Sequence, residues 1–231
     1  MSCAKLISCR VMIEELRPFL PDGMATEVLP IRLHTHPAGL HAALQQAIDG
    51  SDGRFDPIFL GYGLCSQAVV GLRARRSRLV IPRAHDCISV FLGSEQARRF
   101  ETRTEPGTYF LSEGWIGDGT ASIFSEFDLM AERYGPERAA RIFDRMMRHY
   151  RRLAYVRMPH ARTLQADRRY AMDKARYFGM QYVELQGTPS ILERMINGER
   201  DPNIIVITPG QPITLEHFIA GQPELMEANQ T

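Results

Sequence analysis

Residues 56–65 read DPIFLGYGLC, and this stretch decides the fold because it joins a buried strand to a turn that can carry chemistry. The apolar run up to Gly61 is continuous, which is typical of a strand covered on both faces of a parallel sheet. Gly61 and Gly63 allow the chain to turn sharply and a ligand to approach the backbone closely. The stretch therefore predicts a central parallel strand that ends in a turn bearing Cys65.

Strands and helices alternate around this stretch. Strands are predicted at Lys5 to Ser8, Glu27 to Arg32, Asp56 to Gly61 and Arg78 to Pro82, and helices at Met12 to Phe19, Gly39 to Asp49 and Gln67 to Arg73. Such a β-α repeat predicts an α/β fold with a doubly wound, mainly parallel, Rossmann-like sheet.

The repeat resumes in the second half after a helical interruption. Strands are predicted over 105–115, 152–158, 181–185 and 203–208, and helices over 122–150, 164–178 and 188–196. We expect a single α/β domain over residues 1–231 with one doubly wound sheet. The alternative is two lobes, 1–115 and 150–210, with a helical insertion over 116–150.

Composition restricts the class of partner. The chain has 231 residues and a formal net charge of +1, which gives no reason to expect nucleic acid or an anionic membrane as partner. No secretory signal and no apolar run of about 18 residues is found. We expect a cytoplasmic protein whose four cysteines stay reduced, with a small molecule or another protein as partner.

Three of the cysteines follow predicted parallel strands. Cys9 follows the first strand, Cys65 the third and Cys87 the fourth, whereas Cys3 lies near the N-terminus and is taken as incidental. Ligands bind at the carboxyl ends of strands in open α/β sheets. With a strand order of 2-1-3-4, the three sulfurs would lie within roughly 10 Å of one another.

His85 adds an imidazole to this set. In an extended chain, His85 and Cys87 point to the same side. Because Zn²⁺ binds thiolates and imidazoles tetrahedrally, the three strand-end cysteines with His85 would form a Cys₃His site, and three ligands alone would leave a position open for substrate. Three thiolates suit a [4Fe–4S] cluster equally well, so zinc, a cluster and no metal all stay open. Asp86 is a candidate hydrogen-bond partner of a ligating imidazole.

Acid–base groups are predicted near the same edge. His34 and His36 follow the second predicted strand, and an imidazole suits a general base near neutral pH. Glu14 lies on the first helix, five residues after Cys9. The candidate catalytic residues are therefore His85, His36 and Glu14. A metal-free cysteine nucleophile assisted by His85 is the alternative.

Glycine-rich turns are the candidate cofactor-binding positions. Gly61, Tyr62 and Gly63 line one turn, and Gly93 with Ser94 opens a helix whose N-terminus suits an anion. No G-x-G-x-x-G follows the first strand, so a dinucleotide fingerprint is missing from the sequence.

A set of motifs carries a family resemblance. They are Cys9 with Glu14, His36-Pro37 with Leu40, Tyr62-Gly63-Leu64-Cys65, Pro82-Arg83-x-His85-Asp86-Cys87, Leu92-Gly93-Ser94, and Gly107-x-Tyr109 with Gly114-Trp115. Over about residues 5–210 the chain resembles an uncharacterised bacterial and archaeal family, domain of unknown function 1638. Members are often encoded near corrinoid-dependent methyltransferases, so the resemblance implies a link to methyl-group or one-carbon metabolism and to a corrinoid methyltransferase system as partner.

Three functional hypotheses follow. The first is a metal-dependent, transferase-like protein whose thiolate-rich site activates a thiol or similar small substrate. The second is a non-catalytic accessory protein that holds a metal, a cluster or a cofactor for a corrinoid methyltransferase. The third is a metal-free enzyme with a cysteine nucleophile.

Overall fold

The computed structural model describes residues 3–117, 122–159 and 164–219 of the chain. The chain divides into two compact units, one comprising Met1–Val90 and Pro189–Thr231 and the other Phe91–Thr188. These bounds differ from the expected lobes, because the second unit begins before residue 115 and the last strand returns to the first unit.

Strands and helices alternate along the described residues. The strands are β1 (Lys5–Cys9), β2 (Ala25–Leu29), β3 (Ile58–Gly61), β4 (Leu79–Pro82), β5 (Thr108–Leu111), β6 (Arg152–Arg157), β7 (Gln181–Gln186) and β8 (Ile204–Ile207). The helices are α1 (Arg10–Leu16), α2 (Pro37–Ser51), α3 (Cys87–Phe91), α4 (Glu95–Thr104), α5 (Glu113–Gly117), α6 (Ile123–Tyr134), α7 (Pro136–Met147), α8 (Leu164–Tyr177), α9 (Ser190–Ile196) and α10 (Glu216–Ile219).

The first unit contains a five-stranded sheet in the order β2-β1-β3-β4-β8. The strands β2, β1, β3 and β4 are parallel to their neighbours, in the order 2-1-3-4 on which the expected proximity of the three cysteines depends, and β8 pairs antiparallel with β4. Every residue of β3 and β4 is buried, as their uninterrupted apolar sequences predict. The α/β class and the mainly parallel sheet are therefore confirmed.

The second unit has its own parallel sheet of three strands in the order β5-β6-β7. Its apolar core is rich in aromatic side chains from α6 and α7, such as Phe124, Phe127 and Phe143. The strands of the described residues thus divide between two sheets. Among the described residues, no helix combines the length and apolar character that crossing a bilayer requires.

Two predicted elements differ for identifiable reasons. The segment after Cys65 is a turn, because Cys65, Ser66 and Gln67 have φ values of 46°, 55° and 65°, which a right-handed helix excludes. The second strand ends at Leu29, just before Pro30, and the chain continues as a short 3₁₀-helix over Ile31–Thr35. Proline has no N–H to donate to a strand ladder.

Candidate functional site

Cys9 joins β1 to α1. It is the N-cap residue of α1, and its Sγ accepts a hydrogen bond from the backbone N–H of Met12 at 3.5 Å. The side chain is only 4% exposed. The sulfur is therefore held at the carboxyl edge of the sheet by the local geometry of the strand–helix junction.

The strands β1 and β3 approach each other closely beside Cys9. Ser8 pairs with Gly61 in the parallel register. A Cβ at Gly61 would lie 2.5 Å from Ser8 Oγ, and that hydroxyl donates to the Gly61 carbonyl at 3.2 Å. Glycine is required here for packing, and the next residues along the two strands, Cys9 and Tyr62, consequently emerge side by side.

The turn that carries Cys65 is hydrogen-bonded to the turn after β4. The backbone N–H of Leu64 donates to the Ala84 carbonyl at 2.7 Å, and that of Cys65 donates to the His85 carbonyl at 3.0 Å. A Cβ at Gly63 would lie 2.8 Å from both the Ala84 oxygen and the Asp86 nitrogen. The two turns thus touch backbone to backbone, and Cys65 is held in a left-handed conformation that costs a residue with a side chain roughly 1–2 kcal/mol.

Burial raises the pKa of the Cys65 thiol to about 12. The negative charges of Cys9 and Asp86 raise this pKa further, whereas a hydrogen bond from the Gly63 backbone lowers it. Cys65 nevertheless keeps partial exposure. At neutral pH its sulfur is therefore a protonated thiol.

Tyr62 completes what we call the thiol cluster, which consists of Cys9, Tyr62 and Cys65. Tyr62 is 1% exposed, and no described residue forms a hydrogen bond with its buried hydroxyl. Burial raises the pKa of this hydroxyl well above its usual range, and the charges of Cys9, Cys65 and Glu27 contribute further. Buried polar groups usually have a hydrogen-bond partner, so this unsatisfied hydroxyl is a notable feature of the cluster.

The 3₁₀-helix after β2 places His34 against the thiol cluster. Its ring stacks on Tyr62 with a centroid distance of 6.0 Å and an interplanar angle of 21°. Burial lowers the pKa of His34, while the hydrogen bond between Nδ1 and the Ile31 carbonyl, 3.0 Å long, opposes that shift. His34 is thus a neutral imidazole beside Tyr62, whereas His36 is exposed in the cap position of α2.

The other candidates lie at defined places in the first unit. Glu14 forms ion pairs with Arg10 at 3.6 Å and Arg17 at 3.4 Å, and both arginines are well exposed. Asp86 Oδ1 accepts hydrogen bonds from the Ser89 N–H at 3.0 Å and from Ser89 Oγ at 3.1 Å, so this carboxylate caps α3. Cys87 is the first residue of α3, and His85 immediately precedes Asp86.

Gly93 and Ser94 belong to the second unit. Ser94 Oγ accepts a hydrogen bond from the Ala97 N–H at 3.0 Å and is the N-cap residue of α4. Gly93 adopts a φ of 79°, a conformation that favours glycine. Ser94 therefore caps α4, and Gly93 forms the turn just before it.

A model of the family described as "Protein of unknown function (DUF1638)" matches residues 28–196 of the chain. The chain belongs to this family. The matched part of the DUF1638 protein contains Tyr62, Cys65, His85 and Cys87, whereas Cys9 precedes it. Searches of curated proteins and of solved structures found no match.

The fit of a metal centre depends on the placement of its ligands. Within 3–117, 122–159 and 164–219, no group of three or more His, Cys, Asp or Glu side chains is arranged to hold a metal ion. As they are placed, Cys9, Cys65, Cys87 and His85 therefore do not form the Cys₃His set that zinc requires. The zinc and [4Fe–4S] hypotheses stay predictions for metal analysis of the purified protein.

The unpartnered hydroxyl of Tyr62 predicts a change in stability. In the protein without ligand, Tyr62→Phe is expected to raise the free energy of unfolding by about 1 kcal/mol, because it removes a desolvated hydroxyl that makes no hydrogen bond. Urea denaturation measures this difference. Tyr109→Phe is the matched control, since Tyr109 Oη accepts the Ile123 N–H at 3.2 Å, and we expect a loss of about 1 kcal/mol. A less stable Tyr62→Phe variant would contradict the assignment.

Proposed function

We propose that this cytoplasmic protein binds a small molecule at the carboxyl edge of the five-stranded sheet and reacts with it through the thiol of Cys65. The observation that carries the proposal is the left-handed conformation of Cys65, held at a strand end beside Cys9 and the unpartnered Tyr62 hydroxyl. Strained backbone is concentrated at functional sites, and nucleophiles on sharp turns after strands present their reacting atom at the sheet edge.

Deprotonation of Cys65 is the first requirement of such a reaction. The bond from the Cys65 N–H to the His85 carbonyl aligns the segments that carry these two residues. We propose His85 as the base that takes the thiol proton, because its backbone is hydrogen-bonded to that of Cys65. The Tyr62 hydroxyl would donate a hydrogen bond to a polar atom of the ligand, because it has no other partner among the described residues.

Methyl transfer is the reaction that the family resemblance favours. The Cys65 sulfur would form a bond to the methyl carbon while the bond from that carbon to its carrier breaks, and the carrier would leave with the electron pair. His85 would hold the proton released from the thiol. A corrinoid carrier, which departs in its reduced form, meets this balance of electrons without a further oxidant or reductant.

Anaerobic incubation with methylcobalamin tests the proposal. We expect the intact mass of the protein to increase by one methyl group per chain, peptide mapping to place that group on Cys65, and absorbance to record an equal amount of cob(I)alamin. Cys65→Ser is expected to abolish both signals. Cys3→Ser is the matched control, because Cys3 is exposed and outside the thiol cluster, and it should leave both signals unchanged.

Other results separate this proposal from its alternatives. Methylation that survives in Cys65→Ser but is lost in Cys87→Ser would move the reacting thiol to Cys87 and overturn our assignment. Metal analysis of the same sample is the second readout. One zinc or a cluster per chain that is lost in both Cys9→Ser and Cys65→Ser would replace the metal-free reaction with the metal-dependent hypothesis.

A further inference from the structure

The second unit contains a pocket of about 550 Å³ beside α7. Its lining residues are far in sequence from those of the thiol cluster. We call it the α7–α8 pocket, because α7 and the C-terminal end of α8 supply most of its lining, with Tyr150 from the segment before β6. Its volume is within the range of about 300–1,000 Å³ that is usual for small-molecule sites. All lining residues belong to one compact unit.

One side of this pocket is aromatic. Tyr150, Tyr177 and Phe178 line it. Phe178 packs against Tyr177 at a centroid distance of 4.9 Å and against Phe127 of the core at 5.2 Å, while Tyr177 itself is 59% exposed. A large tyrosine ring that is anchored on one side and open on the other offers a surface on which a flat ring can stack.

The rim of the pocket carries positive charge. Arg141 and Arg148 line it together with one carboxylate, Asp144. No described residue forms an ion pair with Arg141, and Arg148 uses its Nε to donate to His149 Nε2 at 2.9 Å. Two guanidinium groups against one carboxylate leave a net positive charge, and guanidinium forks bind carboxylate and phosphate groups well.

We infer that the α7–α8 pocket binds a flat aromatic molecule that carries an anionic group. The ring lies on Tyr177 and Phe178, and the anion contacts Arg141 and Arg148. Asp144 accepts a hydrogen bond from an N–H or O–H group of the same ligand. A nucleotide and a free aromatic carboxylate share this chemistry, and competition distinguishes them.

The test compares two fluorescent probes with the full-length protein. We expect 8-anilinonaphthalene-1-sulfonate, which is aromatic and anionic, to bind at least about tenfold more tightly than its neutral analogue N-phenyl-1-naphthylamine. Arg141→Gln should weaken the anionic probe by about tenfold and leave the neutral probe unchanged. Arg145→Gln, an exposed position on the same helix that does not line the pocket, is the matched control and should change neither.

Two further arms complete the experiment. Tyr177→Leu is expected to weaken both probes, because stacking does not depend on the charge. Displacement of the anionic probe by adenosine monophosphate assigns a nucleotide, and displacement by 4-hydroxybenzoate assigns an aromatic carboxylate. Equal binding of the two probes, equal effects of the Arg141 and Arg145 variants, or displacement by neither competitor would overturn the inference.

Discussion

Cys65 is expected to react with iodoacetamide at least about 50-fold more slowly than an unstructured cysteine peptide near pH 7.5. Its pKa is raised from the ordinary value of 9.0 to about 12, so its thiolate fraction is about 1000-fold smaller. A more basic thiolate is also a better nucleophile, which recovers about 20-fold of this loss. The rate should rise about tenfold per pH unit from pH 7 to 10, with no plateau near pH 9.

Mass spectrometry of the labelled peptides follows all four cysteines in one sample. Cys3, which is exposed, is the internal control and should be labelled first. In urea, all four cysteines should react at the rate of the peptide. Since Cys9 contributes to the raised pKa of Cys65, Cys9→Ser should speed the labelling of Cys65. A plateau of the Cys65 rate near pH 9 in the folded protein would contradict the assigned environment.

This result matters for the proposed reaction because the resting protein holds Cys65 as a thiol. A base or a bound ligand must remove the proton before the sulfur can attack. If His85 is that base, the methylation rate in the methylcobalamin experiment should drop in His85→Gln, whereas the slow background alkylation by iodoacetamide should not. The same comparison separates a positioning effect of His85 from proton transfer, since a misplaced thiol would change both rates.

Gly63→Ala is expected to lower the free energy of unfolding by about 3 kcal/mol. The added Cβ would lie 2.8 Å from the Ala84 oxygen and the Asp86 nitrogen. Both are backbone atoms, which cannot rotate away as a flexible side chain can, and the Leu64 N–H bond to the Ala84 carbonyl holds them in place. Urea denaturation measures the loss, and separation of the two turns should also make Cys65 more accessible to iodoacetamide.

Gly50→Ala is the matched control for this substitution. Gly50 lies within α2. Apart from its chain neighbours and the nearby backbone of the helix, no atom lies within 4 Å of the position that a Cβ would take. Alanine is the better helix former, so we expect a gain of about 0.5 kcal/mol. If Gly63→Ala unfolds within about 0.5 kcal/mol of the original protein, the close contact between the two turns does not exist in solution.

Much of the first unit follows from local sequence pattern. The uninterrupted apolar runs predict β3 and β4, and the β-α repeat predicts the mainly parallel sheet that the structure confirms. The placement of Cys9 at the end of β1 and of the glycines around Tyr62 also follows from the sequence, because a strand end with small residues leaves room at the sheet edge. The capping role of Ser94 follows from its position before a helix, since a cap depends on neighbours a few residues away.

Other features depend on contacts between distant segments. The residues after Cys65 suit a helix by composition, yet their left-handed backbone is set by the neighbouring turn at Ala84 and His85. His34 and His36 are equivalent in sequence, and only the 3₁₀-helix brings His34 onto Tyr62. Within the described ranges, three ligating side chains do not come together around a metal position, and spacing along a strand does not define the directions of side chains.

The sequence by itself determined the α/β class and the mainly parallel sheet, because these follow from the hydrophobic pattern and the alternation of strands and helices. Only the tertiary structure decided that Cys9, Tyr62 and Cys65 form one cluster, that β8 closes the first sheet and that residues 91–188 form a separate unit. The physical reason is that such pairings depend on surfaces far apart in the chain, whose complementarity exists only after folding.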